Sequence, residues 1–301
     1  MNMHVELCGL RLRNPVLTAS GTFGYGTEFE PYGDLKELGG ITIKGVSLHP
    51  RQGNPMPRIV ETACGMLNAI GLQNVGIEQV LKKLDCLPQG LPVIANLYAQ
   101  SEEDFARLGA SFAENGKVAA LEVNISCPNV RAGGMAFGQE PKMARQVTET
   151  VKKAAGHLPV IVKLSPNVTD IRVLARAAVD GGADALSLIN TLSGMAVDIK
   201  NRQPLLGNVI GGLSGPAIKP VALKMVYDVC QTVAVPVIGI GGIVCARDVL
   251  EFILVGAHAV QIGTANIMRP DSAFRIAREL PFVMQELGLE SLEDLRGKLV
   301  V

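Results

Sequence analysis

The sequence predicts a (β/α)₈ barrel, an α/β fold in which eight parallel strands alternate with helices, and three observations favour it. Short apolar runs recur eight times along the chain, and helix-like segments separate most of them. The runs are uniformly apolar, as expected for parallel strands that are covered on both faces. The length of 301 residues suits one barrel of this kind. An open doubly wound sheet, which shows the same alternation, is the second possibility.

The predicted strands are short, and several follow a proline, which a strand tolerates at its start. They span residues 16–19, 41–44, 93–97, 119–125, 160–164, 185–189, 235–240 and 259–262. Between them lie residue types that begin and end helices, such as Ser101 before a row of acids, Pro141 in a first turn and Gly181 at an end. We predict helices over residues 101–115, 141–156, 169–181, 216–232, 245–255 and 272–287.

Two connections are longer than this TIM-barrel architecture needs. Residues 45–90 separate the second and third strands, and residues 191–215 follow the sixth strand. Long insertions on a barrel often shape the mouth of the active site, and we expect that here. The sequence shows no linker, repeat or break in composition, so residues 1–301 are expected to form a single domain.

The charge balance limits the possible partners. Lys and Arg number 28 and Asp and Glu number 28, so the formal net charge is 28 − 28 = 0. Net charge therefore attracts neither nucleic acid nor an anionic membrane, and we expect neither as a partner. Residues 1–9 have no apolar region typical of a signal peptide, and the longest apolar stretches are interrupted by Gly, Pro, Asn or His. We expect a cytoplasmic protein.

The cysteines and histidines show no metal-binding pattern. No two of the six cysteines form a C-x-x-C pair, which argues against zinc ribbons, iron–sulfur motifs and dithiol redox motifs. The four histidines are scattered without the spacing of metal ligands, so we expect no metal on this chain. We interpret five cysteines as packing residues, namely Cys8, Cys64, Cys86, Cys230 and Cys245.

Polar residues or glycines lie at the end of almost every predicted strand. The carboxyl ends of barrel strands meet at one mouth, so these residues predict a site for a polar ligand there. In chain order they are Ser20, Lys44, Gly45, Asn96, Asn124, Lys163, Asn190, Thr191, Gly241, Gly242, Gly263 and Thr264.

Glycines and lysines of this set indicate an anion. The turn 239–243 is equally consistent with a tight connection and with backbone N–H groups that hold a phosphate. Gly263 and Thr264 favour phosphate, because the loops after strands seven and eight form a phosphate site in many barrels. Lys44 and Lys163 both end apolar runs. They either extend to the surface or place positive charge in the mouth, for example near a flavin N1/C2 carbonyl.

Cys127 stands apart from the other cysteines. It lies beyond the fourth strand, between Asn124 and Pro128, and a glycine-rich segment at 131–138 follows it. A thiol at a strand end can act as a nucleophile or general base, and the segment after it can act as a lid. We predict a catalytic role for Cys127.

Four segments together resemble the dihydroorotate dehydrogenase family. They are Ala19-Ser-Gly-Thr-Phe23, Asn68-Ala-Ile-Gly-Leu-Gln-Asn74, Asn124-Ile-Ser-Cys-Pro-Asn129 and Asn190-Thr191. The likeness runs in order over most of the chain. Residues 124–138 and 190–198 look most like the class 1B catalytic subunit.

The resemblance implies oxidation of (S)-dihydroorotate to orotate in de novo pyrimidine biosynthesis, with FMN as the cofactor. Cys127 would remove the C5 proton while C6 gives a hydride to FMN, and Lys44 would contact both substrate and flavin. The substrate would contact Lys44, Asn68, Ala69, Ile70, Gly71, Leu72, Asn124, Asn190 and Thr191. The flavin would contact Ser20, Lys44, Gly45, Asn96, Asn124, Lys163, Ile189, Gly215, Gly241, Gly242, Gly263 and Thr264.

The resemblance also implies partners. A class 1B barrel works with an electron-transfer subunit that carries FAD and a [2Fe–2S] cluster and passes electrons to NAD⁺. The implied assembly is a homodimer of barrels within a heterotetramer of two subunits of each kind. The sequence itself has no cluster ligands and no nicotinamide fingerprint, so electrons must leave to a partner or to a soluble acceptor.

Other functions stay open at this point. Within flavoenzymes, the chain could resemble a class 1A enzyme that uses fumarate, or a dihydropyrimidine dehydrogenase. From another class, it could be a non-redox phosphate-binding barrel, or a lyase in which Lys163 forms a Schiff base.

Overall fold

The strands of the computed structural model, which describes residues 1–125 and 137–300, form the predicted parallel barrel. All eight lie within one or two residues of their predicted bounds. We label them β1 Val16–Thr18, β2 Ile41–Thr42, β3 Val93–Leu97, β4 Ala120–Asn124, β5 Val160–Lys163, β6 Ala185–Leu188, β7 Val237–Ile240 and β8 Ala259–Ile262. They hydrogen-bond in the order β1-β8-β7-β6-β5-β4-β3-β2 with parallel register. A parallel bridge between Leu17 and Gly40 joins the two ends of this order, so the open sheet is the wrong alternative.

The helices pack around the barrel and confirm the predicted segments. They are α1 Ile77–Leu84, α2 Glu102–Asn115, α3 Pro141–Ala154, α4 Ile171–Asp180, α5 Lys219–Cys230, α6 Ala246–Leu254, α7 Ala265–Met268 and α8 Ser272–Glu286. The Ser101 hydroxyl accepts the Asp104 N–H at 3.1 Å and so begins α2 as predicted. The helix α1 lies in the first insertion and the short helix α7 follows β8; neither was predicted.

The interior of the barrel contains polar side chains, which corrects the interpretation of the strands as uniformly apolar. Gln261 of β8 donates through Nε2 to Thr42 Oγ1 at 3.1 Å and to Glu122 Oε2 at 2.8 Å. These residues belong to strands that are not neighbours, so the contacts cross the inside of the barrel. Asn96 and Ser187 join the same buried layer through Glu122.

The two insertions pair with each other into one antiparallel sheet above the barrel. Its order is Leu192–Met195, Ile210–Ser214, Gly65–Asn68 and Ile59–Thr62, so the central pairing joins segments from the two different insertions. A further two-stranded pair, Val197–Asp198 with Gln203–Pro204, extends the second insertion. Residues from both insertions line the cavity at the mouth, as the sequence predicted.

Short elements complete the described chain. An N-terminal hairpin, Val5–Leu7 with Leu10–Leu12, precedes β1. Short 3₁₀ helices lie at Thr27–Tyr32, Leu35–Glu37, Pro216–Ile218 and Leu292–Asp294. Within residues 1–125 and 137–300, every helix is too short or too polar to cross a bilayer.

Candidate active site

One cavity of about 340 Å³ lies at the carboxyl ends of the barrel strands. It gathers the predicted residues of all eight strand ends, although these are far apart in the sequence. The predicted residues that line it are Ser20, Lys44, Gly45, Asn68, Ile70, Gly71, Leu72, Asn96, Asn124, Lys163, Ile189, Asn190, Thr191, Gly215, Gly241, Gly242, Gly263 and Thr264. Among the described residues that line it, Lys44 and Lys163 are the two that ionise.

Lys163 brings a buried positive charge to the floor of the cavity. Its side chain is 5% exposed, and its Nζ lies 3.8 Å from the fully buried Glu122 Oε1. The ammonium also donates to Ser20 Oγ at 3.3 Å. A buried ion pair with a hydroxyl partner keeps the ammonium in a fixed place, where it faces any anion in the cavity.

Lys44 is the second cation, and its surroundings differ. It follows β2, and its backbone N–H donates to Gly24 O at 2.8 Å. Burial lowers the pKa of Lys44 from 10.5, and the positive charge of Arg58 lowers it further. A negative charge bound beside Lys44 would counteract these two unfavourable effects on its ammonium, so the side chain is suited to hold a carboxylate.

Residues 68–72 form a wall of the cavity and are held by the segment at 52–58. Asn54 donates to Ala69 O at 3.0 Å, and the Ala69 N–H donates to Arg58 O at 2.8 Å. Gly71 lies so close to Asn54 that a Cβ would fall within 2.5 Å of its backbone nitrogen. Leu72 has a φ of 59°, a conformation that non-glycine residues rarely adopt.

Ala69 is the predicted contact residue that does not line the cavity. Its side chain is fully buried and packs with Leu67 and Leu206 in a small apolar cluster of the insertion sheet. The strand alternation explains this position, because neighbouring residues at a strand end point to opposite sides.

The segment after β6 is held by Asn167, which follows β5. Its Nδ2 donates to Thr191 O at 2.9 Å, and its Oδ1 accepts the Ser193 N–H at 2.8 Å. Asn190 accepts the Thr191 N–H at 2.8 Å through its own Oδ1. Two neighbouring strand ends thus fix the backbone that presents Asn190 to the cavity.

Glycines form another part of the cavity wall. Gly242 has a φ of 71°, and a Cβ there would lie 2.7 Å from Lys219 Cβ and 2.9 Å from Gly215 O. A side chain is therefore excluded, and bare backbone faces the cavity next to Gly263 and Thr264. Such a wall can approach a phosphate group closely.

Cys127 lies outside the described residues, so its predicted role has no geometry here. The structure does add residues that sequence reasoning missed. Thr22, Gln73 and Ser214 line the cavity, and Ser214 Oγ accepts the Thr264 hydroxyl at 2.8 Å. Glu122 was missed as well, although a charged residue inside an apolar run was a visible signal.

The five remaining cysteines differ in their exposure and contacts. Cys8 is largely buried and donates to Asp184 O at 3.3 Å, and burial together with the Asp184 charge raises the pKa of its thiol to about 12. Burial raises the pKa of Cys230 to about 12 as well. Cys64 and Cys86 are exposed, so their interpretation as packing residues is wrong. Cys245 serves as the N-cap of α6.

Comparisons with known proteins identify the family. The family model for dihydroorotate dehydrogenase matches residues 2–284. A protein of Solidesulfovibrio magneticus named "Dihydroorotate dehydrogenase B (NAD(+)), catalytic subunit" is 68% identical over 299 residues, which is 99% of this chain and 98% of that protein. A protein of Maridesulfovibrio salexigens with the same name is 63% identical over 301 residues, 99% of either chain. The chain belongs to the dihydroorotate dehydrogenase family.

Proposed function

We propose that this chain oxidises (S)-dihydroorotate to orotate, a step of pyrimidine biosynthesis, with FMN bound in the cavity. The observation that carries the proposal is the composition of the cavity wall. Two lysines, four asparagines and a run of bare glycine backbone line one cavity, and these donors suit a planar anion beside a phosphorylated cofactor. The family membership makes the chain an oxidoreductase that uses a flavin.

The residues present fit FMN. The glycine wall at Gly241, Gly242 and Gly263 leaves room for close approach of a phosphate, because side chains are absent there. The buried ammonium of Lys163 offers a positive charge to an isoalloxazine ring that becomes negative on reduction. Ser20, Gly45, Asn96, Asn124, Ile189, Gly215 and Thr264 complete the proposed flavin site. When bound, FMN supplies the hydride acceptor.

The pyrimidine would lie on the side of the cavity lined by residues 68–72. The amides of Asn68, Asn124 and Asn190 each offer a donor and an acceptor, which matches the alternating N–H and C=O groups of the substrate ring. Lys44 would hold the substrate carboxylate. Ile70, Gly71 and Leu72, which line the cavity here, would contact the substrate as well.

Cys127 is proposed as the base that takes the C5 proton. The support is its position three residues after Asn124, which lines the cavity at the end of β4. General bases contribute about 10²–10⁴-fold to rate. The Schiff-base alternative is disfavoured, because the Lys163 Nζ is already engaged with a buried carboxylate and a hydroxyl.

The electrons are proposed to leave through a second subunit. The relatives' names call them NAD(+)-linked catalytic subunits, and we extend this to a partner that carries FAD and a [2Fe–2S] cluster. No three His, Cys, Asp or Glu side chains of the described chain cluster closely enough to hold a metal ion. The proposed assembly is a heterotetramer built on a homodimer of barrels.

Affinity purification of the tagged chain from its own cells tests the function and the assembly together. We expect a yellow protein that releases FMN on denaturation, retained with a second polypeptide that contains FAD, iron and acid-labile sulfide. The isolated chain should reduce an artificial acceptor but not NAD⁺. A colourless chain that takes up no FMN would overturn the proposed function. Fumarate reduction by the isolated chain would overturn the proposal that a second subunit accepts the electrons.

A further inference from the structure

The carboxylate of Glu122 is buried in the middle of the barrel, directly beneath the cavity. Its Oε1 accepts a hydrogen bond from Asn96 Nδ2 at 2.6 Å. Its Oε2 accepts from Ser187 Oγ and from Gln261 Nε2, each at 2.8 Å. The Lys163 ammonium lies 3.8 Å from Oε1. Because all four partners are donors, the arrangement suits an ionised carboxylate.

The barrel does not need this charge for packing. Burial of a carboxylate is unfavourable unless donors and a counter-charge compensate it, and apolar side chains fill other barrel interiors. Glu122 does not line the cavity, but two of its partners, Lys163 and Asn96, do. The Glu122 carboxylate is therefore linked to the cavity through two residues that line it.

Glu122 fixes the position of both partners. The Lys163 ammonium is held between Glu122 and the Ser20 hydroxyl, which is 3.3 Å away. The Asn96 amide has its nitrogen turned to Glu122, which leaves its oxygen to accept from Asn124 Nδ2 at 3.5 Å. With a neutral group at position 122, the Lys163 ammonium would lose its counter-charge and would no longer be held in this place.

We propose that Glu122 is a positioning residue of the flavin site, which acts through Lys163 and Asn96 to hold a positive charge beside the reduced cofactor. This inference rests on the proposed function, because it places FMN in the cavity above Lys163. It assigns no contact between Glu122 and the cofactor or substrate.

The substitution E122Q should disfavour reduced FMN relative to oxidised FMN. A buried ammonium that has lost its counter-charge moves away or gives up its charge, and either response weakens its attraction for the negative reduced flavin. Loss of the Glu122 charge itself acts in the opposite direction. That direct effect is the smaller one, because Glu122 lies further from the cavity than Lys163, which lines it.

The test measures the dissociation constants of oxidised and dithionite-reduced FMN with the apoprotein, by titration under argon. For E122Q we expect the ratio of the two constants to change by at least tenfold against reduced FMN, which corresponds to about 30 mV for a two-electron couple. E122D keeps the charge and should change the ratio less than threefold. A ratio within twofold of wild type in E122Q, or an equal loss in E122D, would overturn the proposal.

Two further variants separate positioning from stability. Thr148 is fully buried in α3 and does not line the cavity. The substitution T148V removes the hydrogen bond from its hydroxyl to Ala144 O. We expect T148V to lower thermal stability and to leave the ratio of the two dissociation constants unchanged. A tenfold change in that ratio would overturn the positioning role.

If E122Q does not fold, S187A serves as the second variant, because it removes one donor to Glu122. A twofold to threefold change of the ratio in the same direction is expected, whereas an unchanged ratio would overturn the proposal. Failure of the wild-type apoprotein to bind FMN at all would instead contradict the proposed function.

Discussion

Gly215 lies directly against Gly65, so that a Cβ on Gly215 would fall 2.7 Å from Gly65 Cα. The two residues belong to different insertions, and their contact continues the pairing of Met66 with Ser214 in the insertion sheet. Both insertions line the cavity beside this contact. The close approach of two backbones thus joins the first insertion to the proposed flavin wall.

G215A is expected to separate the insertions and to weaken FMN binding by at least tenfold, because Cβ cannot be accommodated without movement of Gly65. The φ of 97° and ψ of −169° lie in a region that is almost exclusive to glycine, so a side chain adds backbone strain of about 1–3 kcal/mol. The measurement is an FMN titration of the apoprotein. G288A is the matched control, since Gly288 has a φ of 67° with nothing within 4 Å of its Cβ position. Equal FMN affinities in G215A and wild type would show that the contact does not shape the site.

Much of this site could be predicted from the sequence, because the geometry of a parallel barrel brings every strand end to one mouth. Lys44, Asn96 and Lys163 are recognisable in the sequence because each lies at or near the end of an apolar run. The pairing of the insertions was not predictable, since Leu67 and Leu213 are opposite each other across more than a hundred residues of chain. Local patterns carry no information on such pairing.

The polar layer was missed for a different reason. The average apolar character of a run predicts a strand, and single polar residues such as Glu122 and Gln261 do not change that average. Their partners lie on non-adjacent strands, so only the closed barrel brings them together. The exposure of Cys64 and Cys86 depends likewise on tertiary position and not on their neighbours in sequence.

The affinity for orotate should depend on the charge of Lys44. Since burial and Arg58 lower the pKa of this side chain, its positive charge is lost at a lower pH than 10.5. We expect the orotate dissociation constant to rise with alkaline pH, starting below that value. K44Q should weaken binding about 10–100-fold at neutral pH, the effect of one charged hydrogen bond. Protonation changes of orotate itself affect both proteins equally, so parallel measurements on K44Q correct for them. An identical pH profile of the dissociation constant in both proteins would exclude Lys44 from carboxylate binding.

His258 should make the folded protein sensitive to mild acid. Burial, and then the charge of Arg296, lowers the pKa of His258 to about 4 from 6.5, and its Nδ1 is 3.4 Å from the Val237 N–H. The unfolded chain therefore binds the proton more readily, so stability is full above pH 6.5 and is lost as the pH falls toward 4. Allowing for partial exposure, we expect a loss on the order of 1–2 kcal/mol.

Urea unfolding of wild type and H258Q at pH 7.5 and pH 5 measures this effect. The difference between the two pH values should be smaller in H258Q by that amount, because glutamine does not titrate. A pH dependence that is the same in both proteins would assign the acid sensitivity to other groups.

The thiols should differ in reactivity in the native state. Cys64 and Cys86 are exposed and are expected to react with an aromatic disulfide reagent within minutes. Cys8 and Cys230, whose pKa values are raised to about 12, should react only after unfolding. Mass spectrometry of the labelled peptides identifies each site, and native labelling of Cys8 would contradict the protection expected from its partial burial and its hydrogen bond to Asp184 O.

Anaerobic mixing of the purified FMN protein with dihydroorotate tests the central claim most directly, with flavin absorbance as the readout. We expect the yellow colour to bleach in a single turnover, and we expect C127A to bind FMN normally but to bleach about 10²–10⁴-fold more slowly. A protein that binds FMN yet keeps its colour with dihydroorotate would contradict the proposed oxidation. Bleaching of C127A at the wild-type rate would contradict the assignment of the base.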